Sequence, residues 1–281
     1  MSKTLVINSS NYVIGLNNKY VYRFSNSINF EVGSSIGLSS ISIYNSTFNI
    51  EKNRGNNTIQ IIWLGTIYTL VIDDGYYNVS DLNFRIQKFC ILNNLYMTSN
   101  SGSNIIYFVE LAMNSVRYSV QLNRYAIPTE TQALALAYSK VGSTWNYRLA
   151  VVTPQLNILS QTFGNLIGLT FGLYPLIAQS KTQSFLSTTT PIISPVNSYV
   201  MTCNLLNSKY SIPNTSFYSL PINGSLGSLI RSNVTSIVYN TINPQFYNEI
   251  VITCFDQYFN PLILHDFDCT ITLAIREADA K

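Results

Sequence analysis

The stretch Thr270-Ile271-Thr272-Leu273-Ala274-Ile275 decides the fold, because it alternates large aliphatic residues with small or polar ones. Every second side chain of a β-strand points to the same face, so this period predicts a strand with one buried face. Ile36–Tyr44 has the same character, with aliphatic residues set among serines. From this alternation we expect a set of buried core residues, namely Leu38, Ile41, Ile43, Ile250, Ile252, Ile271, Leu273 and Ile275.

Short strand patterns recur along most of the chain. The predicted strands are 20–24, 28–32, 36–44, 59–64, 67–72, 105–113, 116–122, 198–205, 237–239, 249–255 and 270–275. Two hairpins are expected, with turns at Gly65-Thr66 and Asn114-Ser115. Many short strands without a βαβ rhythm predict an all-β fold, an antiparallel jelly-roll sandwich with one or two short helices.

The clearest helical pattern follows the first hairpin. Leu82, Ile86 and Phe89 lie four and three residues apart, which puts them on one face of a helix. Ser80 is the expected N-cap, and the apolar face is expected to pack on the sandwich. A second helix is predicted at 154–162, where a proline stands in the first turn.

The length of 281 residues favours one large domain. We predict a single jelly-roll domain over residues 1–281, and an irregular insertion at about 126–195 would fit within it. Gly164, Gly168 and Gly172 in this region predict close backbone packing, since no Gly-Lys-Ser/Thr follows to make a phosphate-binding loop.

The composition is poor in groups that carry acid–base chemistry. Charged residues make up 10% of the chain and hydrophobic residues 47%, with 20 tyrosines and one histidine, His265. His265 stands beside Asp266, but neighbours on an extended chain point to opposite faces, so this pair does not predict a catalytic triad. We therefore expect no enzyme and no catalytic residue, and we expect His265 to be a structural residue in a turn.

Cysteines and aspartates give no metal-binding pattern. No cysteine stands in a CxxC pair, and the expected state is a buried free thiol for each of Cys90, Cys203, Cys254 and Cys269. No EF-hand spacing links the aspartates, which are expected to cap loops instead: Asp73, Asp74, Asp256, Asp266 and Asp268. We predict neither a metal nor a cofactor.

The charge distribution and the apolar runs exclude further classes of protein. The net charge is +3 and the basic residues are scattered, so no specific nucleic-acid partner is predicted. No run reaches the ~20 apolar residues of a membrane helix. The first residues, Met-Ser-Lys-Thr-Leu-Val, lack the apolar core of a signal peptide.

Two classes of function remain, an assembly protein and a binding module. Tyrosine supplies contact area at low entropy cost, and its dispersal along the chain favours several protein interfaces over one groove. The alternative is a carbohydrate- or receptor-binding jelly-roll module. That alternative requires a concave aromatic patch with Trp63 or Trp145 exposed beside amides.

Three segments in order resemble one family. The first is Gly75–Asn83, a glycine-tyrosine turn that leads into the predicted helix; the second is Phe163–Leu169, followed by Tyr174-Pro175; the third is Ile252–Ile275, with Asn260-Pro261-Leu262 before the last strand. Together they look like the minor capsid, or penton, proteins of virophages and Polinton-like viruses. The related major capsid proteins carry two jelly rolls and are about twice as long, so the length favours the penton.

The resemblance implies a structural capsid protein with no catalytic residues. It implies a homopentamer that fills the icosahedral vertex of a virion, surrounded by trimers of major capsid protein and assembled inside the host cell.

Overall fold

The computed structural model describes residues 2–16, 18–102 and 104–278. Within them the strands are β1 Ser2–Asn8, β2 Lys19–Asn29, β3 Ser35–Tyr44, β4 Thr58–Trp63, β5 Thr66–Val71, β6 Met97–Ser99, β7 Ile105–Ile106, β8 Val109–Asn114, β9 Ser119–Arg124, β10 Tyr138–Lys140, β11 Gln155–Ile158, β12 Gly172–Tyr174, β13 Gln183–Leu186, β14 Ser198–Cys203, β15 Ser216–Pro221, β16 Leu229–Asn233, β17 Asn240–Thr241, β18 Phe246–Phe255 and β19 Cys269–Arg276. The helices are α1 Val79–Leu92, α2 Glu130–Ala135 and α3 Gln161–Ile167.

Two hydrophobic cores divide the chain into two compact units. One unit is formed by the segments before residue 49 and after residue 195; the other, which we call the inserted unit, is residues 49–195. The insertion therefore begins far earlier than the predicted 126. The strands predicted at 59–64 and 67–72 belong to it, because a period of two shows that a strand has a buried face and does not show which core buries it.

The two-segment unit is a complete jelly roll. Its first sheet has the order β1-β19-β3-β16, with β17 also paired to β3, and its second sheet has the order β2-β18-β14-β15. If the eight sandwich strands are numbered 1 to 8 along the chain, with β17 left out, these orders read 1-8-3-6 and 2-7-4-5. All pairings are antiparallel. This is the double Greek-key order of a jelly roll, and the predicted fold class is confirmed.

The jelly-roll core contains every residue that the alternation predicts. All eight expected core residues are at most 6% exposed. Ile41 and Leu273 come from one sheet, and Ile250 and Ile252 from the other, and all four lie in one hydrophobic cluster. The alternation therefore identifies the inward faces of both sheets correctly.

The inserted unit combines three small antiparallel sheets with the three helices. The sheets have the orders β12-β11-β4-β5, β13-β9-β8 and β10-β6-β7. The hairpin between β4 and β5 is confirmed, but its turn is Leu64-Gly65, where φ is 51° and 91°. Both turn residues have the positive φ that matches the twist of a two-residue hairpin, so the turn lies one residue before the predicted position.

The N-cap of helix α1 is Asn78, two residues before the predicted N-cap. Asn78 Oδ1 accepts a hydrogen bond from Asp81 N at 2.9 Å, and Asp81 Oδ2 accepts one from Asn78 N at 3.0 Å. This reciprocal capping box satisfies two backbone donors, so the expectation for Ser80 is wrong. The helix buries Val79, Leu82, Ile86 and Cys90 in the core of the inserted unit. The prediction that this face belongs to the core of the sandwich is therefore wrong.

The predicted helix at 154–162 is also wrong, because that segment contains strand β11 and only the start of α3. Ser160 caps α3 by accepting a hydrogen bond from Phe163 N at 3.2 Å. The prediction that the glycines allow close backbone packing is correct at Gly164 and Gly168. A Cβ at Gly164 would lie 2.3 Å from Leu169 O, and Gly168 ends the helix at φ 71°.

A single amide ties the two ends of the inserted unit together. Asn49 is buried, and its Nδ2 donates to Tyr77 O at 2.8 Å and to Ile193 O at 2.9 Å. Asn49 O in turn accepts a hydrogen bond from Asn56 Nδ2 at 2.8 Å. The first residue of the unit therefore lies within one side chain's reach of residue 193, close to its last.

Candidate interaction surfaces

His265 lies in an exposed turn, as predicted. Its ring stacks on Phe48, with 3.6 Å between the ring centroids and 16° between the planes. Its backbone N–H donates to Ser46 O at 3.3 Å. Asp266 Oδ1 accepts a hydrogen bond from Asp268 N at 2.9 Å. The carboxylate therefore caps the loop, and the contacts of His265 are those of a packing residue.

Two of the predicted aspartates outside this turn, Asp74 and Asp256, cap loops in the same way, whereas the Asp73 carboxylate lies 3.4 Å from Arg85 Nη1. Asp256 Oδ1 accepts hydrogen bonds from Tyr258 N and Asn260 N, both at 2.8 Å. Asp74 Oδ1 accepts one from Lys52 N at 2.7 Å. Within the described ranges, no three His, Cys, Asp or Glu side chains are grouped so that they could hold a metal ion.

All four cysteines are buried free thiols, as predicted. Cys90 lies in the inserted unit, and Cys203, Cys254 and Cys269 lie in the jelly roll. Burial raises the pKa of each thiol to about 12, since a thiolate loses its solvation in an apolar core. At neutral pH they therefore act as small apolar side chains.

The two tryptophans do not form a binding surface. Trp63 is 1% exposed and Trp145 is 6% exposed, and their rings meet edge to face at 5.4 Å within the inserted unit. Trp145 Nε1 donates to Asn94 O at 2.7 Å. The residues on which the carbohydrate- or receptor-binding alternative depends are therefore core residues.

Arg124 is a buried cation that the sequence analysis did not single out. It is fully buried in the inserted unit, where Nη2 donates to Tyr174 O at 3.4 Å and where Nε and Nη1 have no hydrogen-bond partner. Burial lowers its pKa to about 9, because the cation is desolvated. The alternation along β9 could have predicted this burial, because Arg124 lies on the same strand face as the buried Val120 and Leu122.

The jelly roll has an open cleft, which we call the β1–β2 cleft, and polar and apolar residues line it in equal number. Its volume is about 360 Å³. Lys3 and Glu277 form an ion pair of 2.7 Å in its wall. The apolar lining comes from Leu5, Tyr22, Phe24, Ile28, Phe30 and Ile275.

An exposed loop, residues 207–214, lies in the connection between β14 and β15 and carries two large apolar side chains; we call it the β14–β15 loop. Its base is closed by Ser208 N, which donates to Asn214 O, and by Asn214 Nδ2, which donates to Asn207 Oδ1, both at 2.7 Å. Between these bonds Tyr210 is 100% exposed and Ile212 is 92% exposed. The loop has no strand or helix period. The period along 20–24 and 28–32 predicts strands but not the open space beside them, so the sequence analysis identified neither surface.

No helix among the described residues is long and apolar enough to cross a membrane.

Comparison with known proteins gives matches among solved structures alone. No family model and no curated protein sequence matches the chain. The selenomethionine-labelled mavirus penton protein matches at 12% identity over 99% of both chains, with a TM-score of 0.44. A chain from the 3.5 Å cryo-EM structure of the Sputnik virophage matches at 12% identity over 99% of this chain and 97% of that one, with a TM-score of 0.41. At these scores the matches by themselves assign neither a fold nor a function.

Proposed function

We propose that this chain is a structural capsid protein and that five copies form the vertex of an icosahedral virion. The observation that carries the proposal is the complete eight-strand order of the jelly roll, an architecture used by viral capsid proteins and lectins. A fold alone supports a function only by analogy. The three sequence segments that resemble penton proteins supply the second line of support.

The residue chemistry favours assembly over catalysis. The histidine stacks on a phenylalanine, three aspartates (Asp74, Asp256 and Asp266) cap loops, and the cysteines are buried thiols. This is the pattern of a protein that acts through its surfaces.

The burial of both tryptophans favours the capsid role over a lectin role. A sugar-binding face presents aromatic rings to solvent, whereas Trp63 and Trp145 pack against each other in the core. The partners that follow from the proposal are four further copies of the chain and the surrounding trimers of major capsid protein.

The first test is the oligomeric state of the purified protein. We expect light scattering to give five times the chain mass of 31.6 kDa, and electron micrographs to show closed rings of five. A monomer at high concentration, together with specific binding to a glycan array, would favour the carbohydrate-binding module instead.

A further inference from the structure

We infer that Asn223 is a site of spontaneous covalent modification, at which the side-chain amide is lost through a succinimide and the main chain is rebuilt as isoaspartate. The reaction needs water and no enzyme, so it adds a property to the proposed capsid role and does not depend on that role. Asn223-Gly224 is the one Asn-Gly pair in the sequence. The pair lies in the connection from β15 to β16, which carries the chain from the edge of one jelly-roll sheet to the edge of the other.

The reaction joins two neighbouring groups of this pair. The Gly224 backbone nitrogen, after losing its proton to hydroxide, attacks the side-chain carbon Cγ of Asn223. The new N–Cγ bond closes a five-membered succinimide ring, and the Cγ–Nδ2 bond breaks as ammonia leaves with a proton taken from water. Hydrolysis of the ring at Cγ then gives aspartate, and hydrolysis at the main-chain carbonyl carbon gives isoaspartate. In isoaspartate the main chain runs through Cγ and is longer by one carbon atom.

Both reacting groups are accessible. Asn223 and Gly224 are exposed, and among the described residues neither the Asn223 side chain nor the Gly224 N–H makes a hydrogen bond. Glycine has no Cβ to hinder the approach of the side-chain amide to its nitrogen. The turn also favours glycine here, because a Cβ at position 224 would lie 2.1 Å from Ser228 Oγ, which donates a hydrogen bond to Ser225 O at 2.6 Å.

A second pair in the chain, Asp74-Gly75, shows how the same chemistry is blocked. An Asp-Gly pair closes the same ring by losing water in place of ammonia. Here, however, Gly75 N donates a hydrogen bond to Ile50 O at 2.9 Å, and Asp74 Oδ1 accepts one from Lys52 N at 2.7 Å. Both reacting groups of this pair are engaged, so we expect Asn223 to react first.

The modified bond lies beside a clamp that fastens the turn to the residue after β3. Asn45 Nδ2 donates to Gly224 O and Asn45 N donates to Ser228 O, both at 2.9 Å. Gly227 N donates in turn to Asn45 O at 2.7 Å. Asn45 is only 8% exposed, so its amide is costly to leave without a partner. An extra main-chain carbon at position 223 moves the Gly224 carbonyl, and we therefore expect the modified protein to unfold at a lower temperature.

The first experiment ages the purified wild-type protein at physiological temperature and identifies the products by peptide mass spectrometry. We expect the mass gain of deamidation at Asn223 before any other asparagine, with isoaspartate among the products, and faster in mildly alkaline than in mildly acidic buffer. The comparison within the chain is Asn114-Ser115, a turn in which Asn114 Oδ1 accepts a hydrogen bond from Arg117 N at 3.2 Å. A gain at Asn114 as early as at Asn223, or no gain at Asn223, would overturn the inference.

The second experiment uses two variants of the exposed residue. Asn223→Gln keeps an amide, but glutamine would have to close a six-membered ring, which forms far more slowly. We expect the aged wild type to acquire a form with one positive charge less on isoelectric focusing and a lower melting temperature, and the aged Asn223→Gln to show neither change. Asn223→Asp carries the charge without the extra carbon and should melt above the isolated isoaspartate form. An equal loss of charge in aged Asn223→Gln would overturn the assignment to Asn223.

Discussion

At the scale of single residues, helix α1 shows that membership of an apolar face and burial are different properties. Ile86 is 1% exposed, whereas Phe89 packs only partly against the same core and Phe84 is 63% exposed. The sequence period assigns Ile86 and Phe89 to one face but does not show which of them is more deeply buried. The structure ranks them by burial, because Phe89 lies at the margin of that face.

The ranking gives a prediction for three alanine variants. We expect Ile86→Ala to lower the free energy of unfolding by about 2–5 kcal/mol, because it opens a cavity in a closed core. Phe89→Ala should cost less than the ~3–5 kcal/mol of a fully buried phenylalanine, and Phe84→Ala should lie within about 0.5 kcal/mol of wild type. Urea unfolding at equal protein concentration measures all three. A loss in Phe84→Ala as large as in Ile86→Ala would refute the placement of the helix.

At the scale of elements, the start of α1 depends on a cap two residues before the one that the sequence suggested. Asn, Ser and Asp all cap helices well, so the segment from Asn78 to Asp81 offers several candidates, and local preference does not choose among them. The choice is made by the reciprocal bonds between Asn78 and Asp81.

Three cap variants test this assignment. We expect Asn78→Ala to lower the free energy of unfolding by about 1 kcal/mol, because it leaves the Asp81 N–H without its acceptor. Asp81→Ala should cost about 1 kcal/mol or less, since the residue is exposed. Ser80→Ala is the control and should be nearly neutral. Thermal unfolding measures the three shifts, and a larger loss at Ser80 than at Asn78 would restore the cap predicted from the sequence.

At the scale of the whole molecule, the two units have separate cores. No residue of the segment 49–195 belongs to the jelly-roll cluster of buried side chains, among the residues that the structure describes. The tie from Asn49 to Ile193 brings the ends of the inserted unit together, so a short linker is long enough to replace it.

Excision of the inserted unit is the corresponding prediction. We expect a chain in which a short Gly-Ser linker replaces residues 49–195 to keep a cooperative unfolding transition and a β-sheet circular dichroism spectrum, because its core is complete. Residues 49–195 expressed alone should also unfold cooperatively. If neither piece shows a transition while the full chain does, the two cores are not independent.

The sequence predicts the architecture better than the surfaces, for a physical reason. Alternation is a local pattern. It identifies core residues such as Ile41 and Leu273 because a strand with one buried face has an apolar residue at every second position. The start of the inserted unit at Asn49 depends on which of the two cores buries a strand, and no local sequence pattern shows which core that is. The cleft beside Tyr22 and the loop that carries Tyr210 are consequences of strand order, which appears only when distant segments pair.

The four buried thiols have a consequence for measurement. Their side chains are neutral and shielded in the native state, so a thiol reagent can reach them only when the surrounding structure opens. Cys90 reports opening of the inserted unit, and Cys203, Cys254 and Cys269 report opening of the jelly roll. Labelling rates of the wild-type protein, measured peptide by peptide with mass spectrometry, therefore report the opening of each unit separately and without any introduced probe.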